Sequence, residues 1–148
     1  MSGVAIRIDA SALGPVAESL RAIGRRAGDM TPLFDIFGQS LRTSVRRRFR
    51  TNVGPDGKPW QRSKRAAKDN GQTLVDRGHL RDSIAFKAGP HEVAIGSNDV
   101  RAAIHNFGGR TGRGGKTILP ARPFIGLSQG DLAGLAKRAA LYLEGGQK

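Results

Sequence analysis

The strongest constraint on the fold is an apolar side chain at every fourth position from Leu33 to Phe49, with Ile36 adding to the same face. Side chains spaced in this way lie on one side of an α-helix, so the pattern predicts a helix with one long apolar stripe. Thr31 suits the N-cap of this helix and Pro32 its first turn. Because a stripe of this length must be covered, we expect the rest of the chain to pack against it.

Shorter patterns predict the elements that provide this cover. Alternating apolar and polar residues indicate a strand over residues 4–9, and helical spacing over residues 13–27 indicates a helix that Ser11 caps. Alternation on either side of a turn at Gly89-Pro90 indicates a β-hairpin. We therefore predict an α+β fold, with a small antiparallel sheet packed by three to four helices and with long basic loops.

Two further helices are expected towards the C-terminus. One ends at Gly108, since glycine is favoured just beyond a helix. The last begins at a capping box formed by Ser128 and Asp131, and it ends at Gly145-Gly146.

The whole chain, residues 1–148, has the usual length of one domain. Two segments are predicted to be flexible insertions in it. Residues 51–73 form a basic loop with a dense run of turn-forming residues, and residues 108–119 form a glycine-rich arm whose only charges are positive. The arm matches neither of the common glycine-rich phosphate-binding patterns.

The balance of charge is strongly positive, with 25 Lys and Arg against 12 Asp and Glu, a formal net charge of +13. Such an excess favours nucleic acid, an acidic protein ring or a membrane surface as partner, and the alternative is a solvated basic surface without a dedicated ligand. The basic residues that we predict to face DNA or a partner are Arg46, Arg47, Arg48, Arg50, Arg62, Lys64, Arg65, Arg110, Arg113 and Lys116.

Catalytic and metal-binding chemistry is not expected. The chain has no cysteine, the three histidines lack metal-ligand spacing, and the acidic residues are scattered. The first ten residues lack the apolar run of a signal peptide, and no stretch is long enough for a membrane helix. We therefore predict a protein that is not an enzyme, needs no metal or cofactor, and is made and used in the cytoplasm or in a particle assembled there.

A few apolar and aromatic residues are candidates for contacts between subunits. Trp60 is the only tryptophan, and it suits either an anchor that pins the basic loop to the domain or an interface residue. Phe124 follows a rigid Pro-Ala-Arg-Pro segment and suits either an interface anchor or the core. The residues assigned to a subunit interface are Trp60, Phe107, Arg122 and Phe124.

Five segments form a recognisable series, in this order along the chain: Pro55–Trp60, Leu74–Ile84, Val93–Ser97, Ala103–Gly109 and Pro120–Gly126. Taken together, they resemble the phage virion morphogenesis family. This family includes the tail-completion protein of P2-like phages and the G protein of Mu-like phages. The resemblance spans roughly residues 30–145, and this chain has Val100-Arg101 where the family often has an aromatic residue.

The resemblance implies a structural virion-assembly domain that completes the tail at the neck, where the head joins, and that forms a ring on the DNA path. It implies a homo-oligomer of six copies, neighbouring neck and tail proteins as partners, and non-specific contact with packaged DNA. The protein is then expected in the virion, after assembly in the host cytoplasm, without a membrane partner. A free non-specific nucleic-acid-binding protein is the alternative that the basic segment from Arg42 to Lys68 supports.

Overall fold

A computed structural model describes residues 3–144, apart from the side chains of Pro15, Ile23, Arg26 and Ala27. Two short 3-10 turns accompany the helices and strands in this part of the chain, at Ala10–Val16 and Arg113–Gly115. The helices are α1 (Ala17–Ala27), α2 (Thr31–Thr51), α3 (Lys64–Asp69), α4 (His79–Asp82), α5 (Ala102–Phe107) and α6 (Gln129–Leu143). The strands are β1 (Val4–Asp9), β2 (Ala85–Ala88), β3 (Glu92–Ser97), β4 (Gly109–Thr111) and β5 (Thr117–Leu119).

The main sheet is antiparallel, with the strands in the order β1-β3-β2. The hairpin of β2 and β3 is confirmed, and β1 joins it along the far edge of β3, so that Ile8 lies opposite Val93. Gly96 in β3 is required by the close approach of β1, since a Cβ there would lie 2.1 Å from the carbonyl oxygen of Val4. A separate two-stranded ribbon of β4 and β5 occupies part of the predicted glycine-rich arm.

Helix α2 packs against this sheet and against α6, which confirms the apolar stripe from Leu33 to Phe49. Ile36, predicted to lie on the same face, is instead 37 % exposed. The buried apolar residues of α2 form the centre of the core. The start of α2 differs from the prediction in one detail. Thr31 is the first helical residue and not the cap, and the carboxylate of Asp29 accepts a hydrogen bond from its backbone N–H at 2.9 Å. The buried apolar side chains of α2 are Leu33, Phe34, Phe37, Leu41, Val45 and Phe49.

The predicted α+β class is confirmed, but the basic loop over residues 51–73 contains a helix that the sequence reading left out. Helix α3 lies there because Ser63 caps it, accepting a hydrogen bond from the backbone N–H of Ala66 at 3.1 Å. Asn70 ends it in the left-handed conformation, which asparagine tolerates. The loop is attached to the domain through the buried Trp60 and Thr73. Flexibility of the loop and of the arm stays a prediction.

The capping box of the last helix is confirmed. The Ser128 hydroxyl accepts from the backbone N–H of Asp131 at 3.0 Å, and the Asp131 carboxylate accepts from the backbone N–H of Ser128 at 2.9 Å. Gly145-Gly146, predicted to end this helix, lies outside the described residues. No helix in residues 3–144 has both the length and the apolar character that crossing a membrane requires.

Two glycine-to-alanine substitutions should change the free energy of unfolding in opposite directions. A Cβ on Gly38 in α2 would lie 2.1 Å from Cδ2 of Phe86, so Gly38→Ala should destabilise the protein by about 1–3 kcal/mol. A Cβ on Gly134 in α6 would have no other described atom within 4 Å, so Gly134→Ala should stabilise by about 0.5–1 kcal/mol. Urea unfolding followed by circular dichroism measures both, and a more stable Gly38→Ala protein would contradict this packing of α2 on the sheet.

Candidate functional site

The predicted row of arginines at the end of α2 divides into buried and exposed members. Arg48 is only 6 % exposed. Its Nη1 donates to the carbonyl oxygens of Phe124 at 2.7 Å and Gly126 at 3.0 Å, and its Nη2 donates to the Asp131 carboxylate at 2.5 Å. Burial lowers the pKa of the Arg48 guanidinium, and the Asp131 carboxylate opposes that shift. The assignment of Arg48 to a DNA-facing or partner-facing surface is therefore corrected, because its cation is used inside the chain.

Asp131 is equally buried and is shared between two helices. Besides Arg48, it accepts hydrogen bonds from the Ser44 hydroxyl of α2 at 2.5 Å and from the backbone N–H of Ser128 at 2.9 Å. A buried carboxylate is stable only when its oxygens are paired in this way. The ion pair therefore fixes the N-terminus of α6 against the side of α2.

Three of the four residues assigned to a subunit interface lie inside the chain, and we correct that assignment. Phe124 is fully buried, with its ring 5.2 Å from that of Phe49. The ring of Trp60 lies 5.7 Å from that of Phe49, and its Nε1 donates to the carbonyl oxygen of Pro123 at 2.8 Å. Trp60 thus serves as the anchor of the basic loop, the first of the two roles considered for it.

Arg122 is also buried, at 5 % exposure, and its Nε donates to the carbonyl oxygen of Gln61 at 2.7 Å. Phe107 is the fourth residue of that assignment, and it is 68 % exposed at the end of α5. Ile118 on β5 is exposed to the same degree, and Val100 before α5 is 72 % exposed. The most exposed apolar side chains are thus at α5 and on the ribbon, while Ile36 on α2 and Leu141 on α6 are exposed to a smaller degree.

The other predicted basic residues remain on the surface, and they differ in exposure and in hydrogen bonding. Arg47 and Arg50 are exposed on the last turns of α2, whereas Arg46 is half-buried and its Nη2 donates to the carbonyl oxygen of Asp82 at 3.3 Å. The segment of residues 109–119, which we call the basic arm, carries three exposed cations and no acidic residue. These cations of the basic arm are Arg110, Arg113 and Lys116.

The fold brings the remaining predicted cations into one groove of about 610 Å³. Four segments line it: the start of α3, the approach to α4, one face of α5, and β5 with the residues after it. One acidic residue, Asp76, lies among the lining side chains, and the Asp99 carboxylate pairs with Arg101 at 2.6 Å. We call this the cationic groove, and its cations are Arg62, Lys64, Arg65, Arg77, Arg101 and Arg122.

The sequence reading missed four residues of this groove: Arg77, His79, Arg101 and His105. Arg77 and His79 follow the basic loop closely but lie beyond the basic segment from Arg42 to Lys68, whereas Arg101 and His105 lie far along the chain from it. A signal was nevertheless present, because three of the four stand in segments that carry the family resemblance. In the described part of the chain, no group of three or more His, Asp or Glu side chains is placed to hold a metal ion.

The fold and this surface define a small α+β protein with a basic exterior, exposed apolar residues and a separate two-stranded ribbon, features typical of proteins that bind other macromolecules. The sequence profile of the phage virion morphogenesis family matches residues 12–144, and the chain belongs to this family. It is 31% identical over 140 residues to the Mu-like prophage FluMu G protein 2 of Haemophilus influenzae, covering 94% of this chain and 96% of that protein. No solved structure matches the chain. Its role is therefore in the building of a phage virion.

Removal of the Arg48 cation should unfold the protein more easily than removal of its neighbour. Arg48→Met leaves the buried Asp131 carboxylate without its cation, which should lower the free energy of unfolding by about 3–5 kcal/mol. The matched control Arg47→Met, at an exposed position of the same helix, should change it by less than about 0.5 kcal/mol. Urea unfolding measures both variants, and equal effects would contradict the structural role of Arg48. If Arg48→Met does not fold, Arg48→Lys keeps a charge and should show a smaller loss.

Stability should also depend on Asp99 at acid pH. Hydrogen bonds from Arg101, above all from its side chain, lower the pKa of the Asp99 carboxyl from 3.8 to about 2. Because the folded-state pKa is depressed, this stabilisation is present above about pH 4 and is lost as the pH falls towards 2. Asp99→Asn should therefore be less stable than the wild type at pH 7 by about 1–2 kcal/mol, with the difference shrinking below pH 4. Thermal melts of both proteins from pH 7 to pH 2 measure this difference in stability. A difference that stays constant over this range would contradict the role assigned to the Asp99 carboxylate.

Proposed function

We propose that the protein is a structural tail-completion or neck subunit, which forms a ring on the path of the DNA between head and tail. The observation that carries the proposal is the basic arm of a chain that belongs to a virion morphogenesis family. A ribbon of two strands is marginal by itself in water, so contacts beyond the ribbon are needed to hold it. The cations and the exposed Ile118 of this arm suit a neighbouring subunit or packaged DNA.

The charge of the exposed residues supports a position on the DNA path. Arg47 and Arg50 at the end of α2, together with the basic arm, offer cations that are not paired with any described carboxylate. Phosphate contacts from such side chains are independent of base sequence, and this suits a passage through which the whole genome moves.

The exposed apolar residues support self-association. Phe107 at the end of α5 and Val100 just before it are more than two-thirds exposed, and large apolar side chains of this kind contribute to interfaces between subunits. We propose that they contribute to the contact between copies, and that six copies close the ring to match the symmetry of a tail. Neighbouring neck and tail proteins complete the set of partners.

The role proposed here is mechanical and not catalytic, and it requires no cofactor or metal. In this account the protein works in the assembled virion, at the tail or neck, after assembly in the host cytoplasm. Its contribution to the particle is a fixed set of surfaces, which the buried ion pair and the aromatic cluster around Phe49 hold in place.

Deletion of the gene from the phage or prophage that encodes it tests the proposal. The deletion lysate should contain DNA-filled heads beside separate tails when it is viewed by electron microscopy, because the two cannot join. Tails of abnormal length would indicate instead that the protein terminates the tail tube. Normal infectious particles would contradict the proposal, and the free nucleic-acid-binding alternative would then be tested by salt-dependent binding to short duplex DNA.

Complementation of the deletion separates the role of the basic arm from that of charge in general. A double variant, Arg110→Glu with Arg113→Glu, should restore infectious particles at least about tenfold less well than the wild type, since its contacts with acidic partners are reversed. Lys137→Glu, at an exposed site of α6, is the control and should complement normally. Equal complementation by the wild type, the double variant and Lys137→Glu would contradict a role for the cations of the basic arm in assembly.

A further inference from the structure

The cationic groove contains a buried arginine whose charge the chain does not neutralise. Arg122 is 95 % buried, yet the only side-chain hydrogen bond that it makes to described residues runs from Nε to the carbonyl oxygen of Gln61. Its two Nη atoms have no acceptor among residues 3–144, and no described carboxylate pairs with it. Neither Nη atom is among the fully buried atoms without a partner, so the small exposed part of Arg122 includes its charged end. Arg48 is buried to the same extent but has a carboxylate partner, so the two sites contrast directly. A largely buried cation without a counter-ion is stabilised when an anionic ligand reaches its exposed end.

A second unpartnered group lies next to Arg122. The backbone N–H of Arg122 donates to the carbonyl oxygen of His105 at 2.8 Å, so the two residues are direct neighbours. The Nδ1 atom of His105 is buried and has no hydrogen-bond partner among the described residues. Burial, followed by the nearby cations Arg122 and Arg101, lowers the pKa of His105, which favours its neutral form. Two neighbouring residues that line the groove therefore each have a polar group without a partner in the described part of the chain.

The charge of the groove as a whole is strongly positive. Its six cations face two carboxylates, Asp76 in the lining and the Asp99 partner of Arg101, which leaves a formal excess of four positive charges. Lys64 and Arg77 are exposed at the rim and make no ion pair with a described residue. An anionic ligand would thus be attracted to the rim before it reaches the buried Arg122.

The lining of the groove also includes apolar side chains, and part of it is a strand. Leu119 and the exposed Ile118 of β5 line the groove, together with Leu74, Leu80 and Pro120. Strand β5 pairs only with β4, so its second edge is free to accept another extended segment. Peptides commonly bind by adding a strand to such an edge, with alternate side chains in pockets.

We propose that the cationic groove binds an extended acidic peptide segment of a partner protein, which lies along β5 with a carboxylate against Arg122. The volume of about 610 Å³ is in the range of sites for short peptides and small molecules. Alternating acidic and apolar residues would suit a groove that is lined by both cations and apolar side chains, because successive side chains of an extended segment point to opposite sides.

Two features favour a peptide over DNA. Phosphates of a duplex are reached by long exposed side chains, whereas Arg122 is 95 % buried at the back of the groove. The apolar side chains of Ile118, Leu119 and Pro120 also have no counterpart in the phosphate backbone.

A different protein is favoured over a second copy of this chain as the source of the segment. The 12 acidic residues of this chain are scattered, and no two of them are closer than six positions in the sequence. The chain therefore lacks a segment with two acidic residues close together. This inference does not rest on the ring or on its place in the particle, so it can fail while the proposed function stands, and the reverse also holds.

The test uses the full chain and a fluorescein-labelled peptide of alternating Glu and Val residues, with binding followed by fluorescence anisotropy at low salt. The wild type should bind it at least about tenfold more tightly than the matched peptide with Gln in place of Glu, since hydrogen bonds to charged groups carry the difference. Arg122→Gln and, separately, Lys64→Glu should each weaken binding about tenfold or more.

Two controls keep this test decisive. Lys137→Glu makes the same charge change as Lys64→Glu at an exposed site outside the groove, and it should bind the Glu peptide as the wild type does. Lys64 is the first residue of α3, where an acidic side chain suits the helix dipole, so Lys64→Glu is expected to fold even if Arg122→Gln does not.

Several results would overturn the proposal. One is the absence of binding to the Glu peptide, and another is equal binding of the Gln peptide. A third is an equal loss in Lys137→Glu, which would indicate a general effect of charge. Tighter binding of labelled oligo-dT with the same dependence on Arg122 and Lys64 would assign the groove to nucleic acid. Concentration-dependent self-association that Lys64→Glu abolishes, measured by analytical ultracentrifugation, would assign it to a second copy.

Discussion

The buried ion pair of Arg48 and Asp131 is the interaction on which the rest of the structure depends. It joins two residues that are 83 positions apart, one in the central helix and the other in the first turn of the last helix. The same guanidinium also holds two carbonyl groups of the segment that leads into α6. A pair in this position costs desolvation, and that cost is offset only because nearly every polar atom around it is hydrogen-bonded. Its contribution is therefore to fix one arrangement of the chain.

This arrangement determines what the surface can do. The segment of residues 122–126 is held by Arg48, by the indole of Trp60, and by the Asn106 side chain, whose oxygen accepts from the backbone N–H groups of Phe124 and Ile125 at 3.0 Å and 3.1 Å. Since this segment follows β5 directly, its anchoring also positions the basic arm and the wall of the cationic groove. The packed interior thus determines where the basic elements lie on the surface. Such an arrangement suits a protein that holds other molecules in fixed positions.

Periodicity predicted the framework well, because the apolar face of α2 and the alternation in the hairpin are local signals. The same periodicity, followed further, would have identified Arg48 as buried: it stands three residues after Val45 and beside Phe49, on the apolar face. Charge alone places Arg48 with its exposed neighbours Arg47 and Arg50, and for this reason its assignment to the surface is wrong. Trp60 and Phe124 had open alternatives, because a large apolar side chain suits a core and an interface equally. The groove could not be predicted in this way, since it joins four segments that only the folded chain brings together.

Membership of the phage virion morphogenesis family and the division between a fixed interior and a basic exterior support our central proposal, that this protein is a ring-forming part of the neck. Electron cryomicroscopy of the head–tail junction in the intact particle tests this claim most directly. The account predicts a closed ring of copies around the DNA, with the basic arm of residues 109–119 at a boundary between subunits or facing the channel. Absence of the chain from the particle, or its presence as isolated copies away from the DNA path, would contradict the account.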